Sequence, residues 1–315
     1  MEMQKIAYVF PGQGTQYISM GYEFYQNFES AKKIFEEANE VLGYSLTKLC
    51  FEGPLEKLSQ TQYSQVAILT ASIACLHVLK ETLLTTHYSL LPIYMAGHSL
   101  GEYSALVAAD GIEFKEALRI VQQRAKFMQE AAEKNHGGMV AILGLERIEV
   151  EKICKEESIE IANINCPGQI VISGTKEYLE KAVQKALTSG AKKTIPLAVS
   201  GAFHSSLMIP AQEKLANVLN NAKIKNLQRP VIANVTAKPV LNSDEIKQSL
   251  TRQISNSVLW EDSIKFMIKE GIKTFIEIGP GRVLKGLIRR IDSNVEVKNI
   301  EKMNDLEIIG RKDTL

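Results

Sequence analysis

Strands alternating with helices predict an α/β fold built on a parallel sheet, with a second, smaller unit set into it. Three observations carry the prediction. Ile6-Ala7-Tyr8-Val9-Phe10 is a continuous apolar run closed by Pro11-Gly12-Gln13-Gly14, as expected of a strand buried on both faces. Residues 92–96 repeat that pattern, pass through Gly97-His98-Ser99-Leu100-Gly101 and continue into a helical segment over 102–109. After a break at His136-Gly137-Gly138 the element order changes to β-α-β-β-α-β, which is the ferredoxin-like arrangement.

Each element has its own signal. Apolar residues recur at helical spacing over 28–42 and 64–79, and again in a long helix over 114–134. Asp110-Gly111 ends the helix that follows Ser99. The smaller unit reads as strand 139–143, helix 149–156, strands 159–163 and 169–173, helix 176–189 and strand 193–199. From Ser206 onward long helices return over 207–222, 245–254 and 260–270, with strands 231–234 and 274–278 joining the larger sheet. The expected division is therefore a large unit of residues 1–130 and 200–315 and a small one of residues 131–199. Residues 303–315 are polar and expected at the periphery.

Composition narrows the function. The 315 residues are 45% hydrophobic and 23% charged, with a formal net charge of +1, and no basic block or aromatic-interleaved stripe suggests nucleic acid. The longest apolar stretch, 66–79, is shorter than a membrane span and holds Thr70, Ser72 and His77, so it reads as a core helix. Cys50, Cys75, Cys154 and Cys166 show neither C-x-x-C pairing nor metal-ligand spacing. Reduced thiols, no metal and a cytoplasmic location are expected.

The chemistry centres on Ser99. Gly-x-Ser-x-Gly between a strand and a helix is the context of a nucleophile elbow: the flanking residues must be minimal, and the serine is lifted to the top of the sheet. The helix N-terminus behind it offers N–H groups and a positive dipole end to a developing oxyanion. Such a serine needs a base, and histidine is the usual one. His98 adjoins the serine with its side chain turned away. His77 lies on an apolar helix and reads as a core residue, while His87 and His136 fall in loop-like segments. His204 follows a strand and the turn Ser200-Gly201-Ala202-Phe203 and precedes a helix, which would aim an imidazole at a cleft. Position alone leaves it divided between that role and an ordinary loop histidine.

Four ordered motifs then carry a resemblance: Phe10-Pro11-Gly12-Gln13-Gly14-Thr15-Gln16, the run from Gly97 to Leu106, Gly201-Ala202-Phe203-His204-Ser205 and Glu277-Ile278-Gly279-Pro280-Gly281. With Gln123-Arg124 and Arg252-Gln253, they resemble the malonyl-CoA:acyl carrier protein transacylases across residues 6–287. The resemblance implies an α/β-hydrolase-like core with a ferredoxin-like insertion. It implies that Ser99 attacks the thioester of malonyl-CoA, that His204 takes its proton, and that the backbone N–H groups of Gln13 and Leu100 form the oxyanion hole. The rate should then fall as pH drops through the imidazole pKa.

The same resemblance gives Arg124 the malonyl carboxylate, which a guanidinium can hold through two parallel hydrogen bonds. By its neighbours Gln122, Gln123 and Lys126 alone, Arg124 would sit on a solvated face. Gln253 matches a position whose side chain or backbone carbonyl orients the region near the histidine, so no aspartate is required and Asp262 is not assigned. Phe203 would crowd a branched acyl group, a discrimination on the order of 1–3 kcal/mol per methyl. Asn163 and Asn165 are candidates for the thioester arm, and Lys192 and Lys193 for phosphates of CoA or an acidic carrier protein. Each of these two pairs reads equally well as solvated surface. The implied partners are malonyl-CoA and an acyl carrier protein of fatty-acid, polyketide or lipopeptide synthesis, with no cofactor and a monomeric enzyme. An acyl hydrolase that clears stalled chains and a silent carrier-binding module are the competing readings. Arg124 argues against the first, and Ser99 with His204 against the second.

Overall fold

The computed structural model describes residues 5–86 and 91–310. Its strands are β1 (Ile6–Phe10), β2 (Tyr94–Gly97), β3 (Gly137–Leu143), β4 (Glu160–Cys166), β5 (Gln169–Thr175), β6 (Lys193–Pro196), β7 (Val231–Ala233), β8 (Lys238–Val240), β9 (Val258–Leu259), β10 (Thr274–Ile278) and β11 (Glu296–Ile300). They form a mixed α/β fold with two sheets. The six-stranded sheet runs β11-β10-β1-β2-β7-β8, parallel throughout except for the β7–β8 hairpin. Every residue of β1 and β10 is buried, because a central parallel strand covered on both faces has no polar side. The loops that leave the carboxyl ends of β1 and β2 carry Gln13 and Ser99, the end of the sheet where α/β folds place ligands.

The second sheet runs β6-β3-β5-β4-β9, with β4–β9 parallel and the other pairs antiparallel. Alternation along β3 joins this sheet to the rest. Val140 and Ile142 pack with Val150, Ile153 and Leu179 from the helices on one face. Met139 and Ala141 point the other way, into the main core.

Three strands lie outside the predicted set. β8 and β9 have three and two residues, too short for a period to show. β11 buries the polar Lys298 and Asn299, which masks its strand pattern. β9 comes from the C-terminal part of the chain and extends the small sheet to five strands. The end of the chain also differs from expectation: the Met303–Gly310 helix buries Asp305 and Leu306.

The helix predicted over 64–79 spans Thr61–Thr86. Among the described residues it is the one helix long and apolar enough, by length and composition, to cross a membrane, and its most apolar window is 72% buried inside the protein. It packs between the Glu29–Leu42 and Phe114–Asn135 helices as a core helix. His77 nevertheless falls on its outer side and is exposed, a correction to its reading as a core residue. All four cysteines are buried and unpaired.

Candidate active site

The elbow is built by contact too close for side chains. A Cβ on Gly97 would stand 1.9 Å from the Gly101 carbonyl carbon, and one on Gly101 would stand 2.2 Å from the Phe10 carbonyl oxygen. Gly12 meets the same limit, 2.3 Å from the His98 carbonyl oxygen, so the loop after β1 lies directly against the turn. Ser99 is held at φ 50°, a left-handed conformation that costs a non-glycine residue on the order of 1–3 kcal/mol. Asn234, just after β7, spans that turn. Its Oδ1 accepts from Ser99 N–H at 2.7 Å and its Nδ2 donates to the Gly97 carbonyl at 2.7 Å. These two bonds offset the strain and leave Ser99 Oγ free to point into the cleft.

His204 Nε2 lies 2.8 Å from Ser99 Oγ. Its Nδ1 is 2.8 Å from the backbone carbonyl of Gln253, and its own N–H donates to the Ile254 carbonyl at 3.2 Å. Gln253 is the last residue of the Ser243–Gln253 helix, whose terminal carbonyls have no partner within the helix. One of them therefore accepts Nδ1–H and leaves Nε2 with a lone pair facing the serine hydroxyl. His204 is also left-handed, at φ 57°. Burial, reinforced by the nearby Arg124 charge, pushes its pKa down to about 3, so the imidazole is neutral across the physiological range.

Arg124 is 1% exposed, not on a solvated face. Its Nη2 donates to Ser99 Oγ at 3.1 Å and to Gln253 Oε1 at 2.9 Å, and its Nη1 donates to Gln65 Oε1 at 2.6 Å. Its Nε has no acceptor among the described residues, and the guanidinium carbon stands 5.6 Å from the Tyr103 ring centre. The Gln253 amide in turn donates to the Ser99 carbonyl at 2.9 Å and to Glu102 Oε2 at 2.7 Å. Gln253 thus contacts serine, histidine and arginine at once.

The cleft above these groups has a volume of about 350 Å³ and is lined by Gln13, Ser99, Met139, Asn163, Phe203 and His204 among others. Gln13 and Leu100 flank the serine, and among the described residues neither backbone N–H has a hydrogen-bond partner. Asn163 reaches the cleft from a bulge in β4. Asn165 does not line it: its Oδ1 is engaged at 2.8 Å by His98 Nε2. That bond and the Trp260 ring, 5.6 Å away, hold the His98 imidazole off Ser99. Lys192 and Lys193 are exposed at the start of edge strand β6, outside the cleft lining. His136 is exposed at a helix C-terminus, and His87 lies outside the described residues. Asp262 pairs at the surface with Arg147, at 3.0 Å.

Sequence reasoning missed Asn234, Gln65 and Glu102. For Arg124 and Gln253 a signal was present. Ala117, Val121, Arg124, Met128 and Ala131 fall on one buried stripe of their helix, as do Ile246, Leu250 and Gln253 on theirs. A polar residue placed on such a stripe must have a partner.

Residues 7–314 match the family described as acyl transferase domain. The chain is 46% identical over 311 residues to the malonyl CoA-acyl carrier protein transacylase of Bacillus subtilis, covering 97% of this chain and 96% of that protein. It is 40% identical to the transacylase of the same name from Staphylococcus aureus strain MRSA252, covering 97% and 98%. Among solved structures, the malonyl CoA-acyl carrier protein transacylase of Coxiella burnetii superposes with a TM-score of 0.94 at 37% identity, covering 99% and 98%. A malonyl-transacylase in complex with its type II PKS acyl carrier protein superposes with a TM-score of 0.92 at 40% identity, covering 96% and 98%.

Proposed function

The chain belongs to the acyl transferase family and, within it, to the malonyl CoA-acyl carrier protein transacylases, and from that premise we propose that it moves malonyl from malonyl-CoA to the pantetheine thiol of an acyl carrier protein through an ester on Ser99. The observation that carries the reading is one oxygen with two partners: Ser99 Oγ lies 2.8 Å from a neutral imidazole nitrogen and 3.1 Å from a buried guanidinium.

His204 takes the Ser99 proton as Oγ attacks the thioester carbonyl. The Gln253 carbonyl, at the negative end of a helix, stabilises the imidazolium that forms. The N–H groups of Gln13 and Leu100 receive the oxyanion, each such donor being worth about 10²–10³-fold in rate. His204 then returns the proton to the CoA sulfur, which leaves. The carrier-protein thiol repeats the sequence in reverse, giving a ping-pong course. Arg124 exchanges its contact with Ser99 Oγ for the malonyl carboxylate, and Phe203 and Asn163 bound the space left to the acyl group and thioester arm. The buried arginine beside the nucleophile supports transfer of a carboxylated acyl group over the hydrolysis of simple acyl chains.

Two finer readings belong with this proposal. The β6-β3-β5-β4 order supports a ferredoxin-like unit over residues 131–199, capped by β9. The parallel sheet and serine elbow support an α/β-hydrolase-like core for the remainder. Fatty-acid synthesis and the loading of a polyketide or lipopeptide assembly line use the same chemistry. A cytoplasmic location fits the four unpaired thiols.

Mixing the protein with malonyl-CoA, then digesting and weighing its peptides, should show malonyl on the peptide containing Ser99, discharged when carrier protein is added. An adduct at another residue, or one that hydrolyses without passing to the carrier thiol, would overturn the assignment.

Lys192 and Lys193 extend the proposal to docking. They lie four or five residues before the cleft-lining Leu197, roughly 13 Å or more along an extended strand, on a rim that an acidic carrier protein would meet. Reversing both to Glu is expected to raise the apparent KM for carrier protein more than that for a short pantetheine mimic, because surface charge acts mainly on encounter. Equal effects on the two acceptors would remove the docking role.

A further inference from the structure

Behind the site lies a buried carboxylate that the mechanism above does not use. Glu102, 2% exposed, sits in the second residue of the helix that follows Ser99. A continuous chain links it to the guanidinium: Arg124 Nη2 donates to Gln253 Oε1 at 2.9 Å, and Gln253 Nε2 donates to Glu102 Oε2 at 2.7 Å. The Asn234 backbone N–H donates to the same carboxylate oxygen at 3.1 Å. Among the described residues no carboxylate is hydrogen-bonded to Arg124, and Glu102 is the carboxylate whose charge acts on it, relayed through one amide.

We propose that Glu102 is the internal counter-anion of Arg124, and that docking of a substrate carboxylate on Arg124 is accompanied by uptake of one proton from solvent onto Glu102. This rests on the reading that Arg124 receives the malonyl carboxylate. No other bond forms or breaks in the step. The substrate carboxylate stays ionised because it touches the guanidinium directly, and Glu102 is neutralised because two buried carboxylates cannot share one cation without cost.

The electrostatics of the free site favour this outcome. Burial pushes Glu102 up to about 7, opposed by the Gln253 and Asn234 hydrogen bonds and by the Arg124 charge. A substrate carboxylate cancels the last of these and raises the group further. The other titratable groups facing this network are Tyr103, already protonated and pushed up by burial, and His204, held neutral by burial and by Arg124 itself. Tyr103 has no proton to gain, and His204, pushed down to about 3, starts far below the pH at which Glu102 titrates.

The linkage has a definite sign: binding coupled to proton uptake weakens as pH rises. The KM for malonyl-CoA should therefore climb above about pH 7, approaching tenfold per pH unit at its steepest. Acetyl-CoA carries the same CoA phosphates and no acyl carboxylate, so it serves as the blank. The direct test is calorimetric titration of the Ser99→Ala protein, which cannot be acylated, with malonyl-CoA and with acetyl-CoA at pH 7.5. Repeating each titration in two buffers of different ionisation heat gives the number of protons taken up.

Malonyl-CoA should bring in more protons than acetyl-CoA, and the excess should vanish when Glu102→Gln is added. That variant keeps a carbonyl acceptor for Gln253 and Asn234. Equal proton numbers for the two ligands, or an excess that survives Glu102→Gln, would overturn the proposal. If Glu102→Gln does not fold, the wild-type comparison decides: a malonyl-CoA KM that stays as flat as that for acetyl-CoA between pH 6.5 and 8.5 overturns it equally. Failure of the underlying reading looks different, since Arg124→Ala would then weaken malonyl-CoA and acetyl-CoA equally.

Discussion

Replacing His204 with Ala is expected to slow acylation of Ser99 by about 10²–10⁴-fold, the range for loss of a positioned general base. The substitution removes the acceptor 2.8 Å from Ser99 Oγ and leaves Asn234 holding the elbow, so the protein should still bind malonyl-CoA. The measurement is the burst of CoA released in a single turnover. His98→Ala is the control, because its imidazole is tied to Asn165; a dead His98→Ala beside an active His204→Ala would reverse the assignment. The pH profile sharpens the test. The expectation from sequence was an acid limb at the ordinary imidazole pKa. With His204 pushed down to about 3, the base stays unprotonated as pH falls through 6.5. Acylation should hold through pH 5 and fail only toward the lower value. A limb near 6.5 would show that the imidazole is solvated when it acts.

Arg124→Ala is expected to cost malonyl-CoA about 2–5 kcal/mol, the penalty for stripping one partner from a buried charge pair. That corresponds to roughly 30- to several-thousand-fold in kcat/KM. The structure adds a shared component, because Gln65 Oε1 and Gln253 Oε1 each lose a donor, and this part should fall on every acyl-CoA. The ratio of malonyl-CoA to acetyl-CoA turnover therefore carries the result and should collapse. Arg124→Lys should recover only part of it, since an ammonium cannot reproduce the planar fork. Equal losses for the two substrates would make Arg124 structural and bring back the hydrolase reading.

What could be read from the chain depended on how locally each feature is encoded. The serine elbow lies within five consecutive residues and is sterically exclusive, so Gly97, Ser99 and Gly101 were legible without a structure. The alternation of strands and helices was legible for the same reason. His204 and Arg124 lie 105 and 25 residues from Ser99 in the chain, and only an ordered set of motifs joined them to it. Asn234 and Glu102 escaped because their work is done through backbone groups and an amide brought together by β7 and two helices. His77 is misread because the Thr61–Thr86 helix is apolar on nearly all sides, so the helical spacing of its apolar residues singles out no outer face. Asn165 sits two residues from Asn163, and plain alternation would put both on one face of a strand, but β4 shifts register between Ile164 and Cys166 and Asn165 is taken up by His98.

Gln253 sets a limit on redesign. Its main-chain oxygen fixes the tautomer of the base, while its side chain braces the arginine that would choose the acyl group. Selectivity and turnover are thus fastened to a single helix end and cannot be adjusted one at a time. An engineer who widens the acyl scope by shrinking Arg124 also slackens the tether on His204. Broad-specificity variants made that way should be slow even on the substrates they newly admit, until a second substitution gives the Gln253 amide something else to hold.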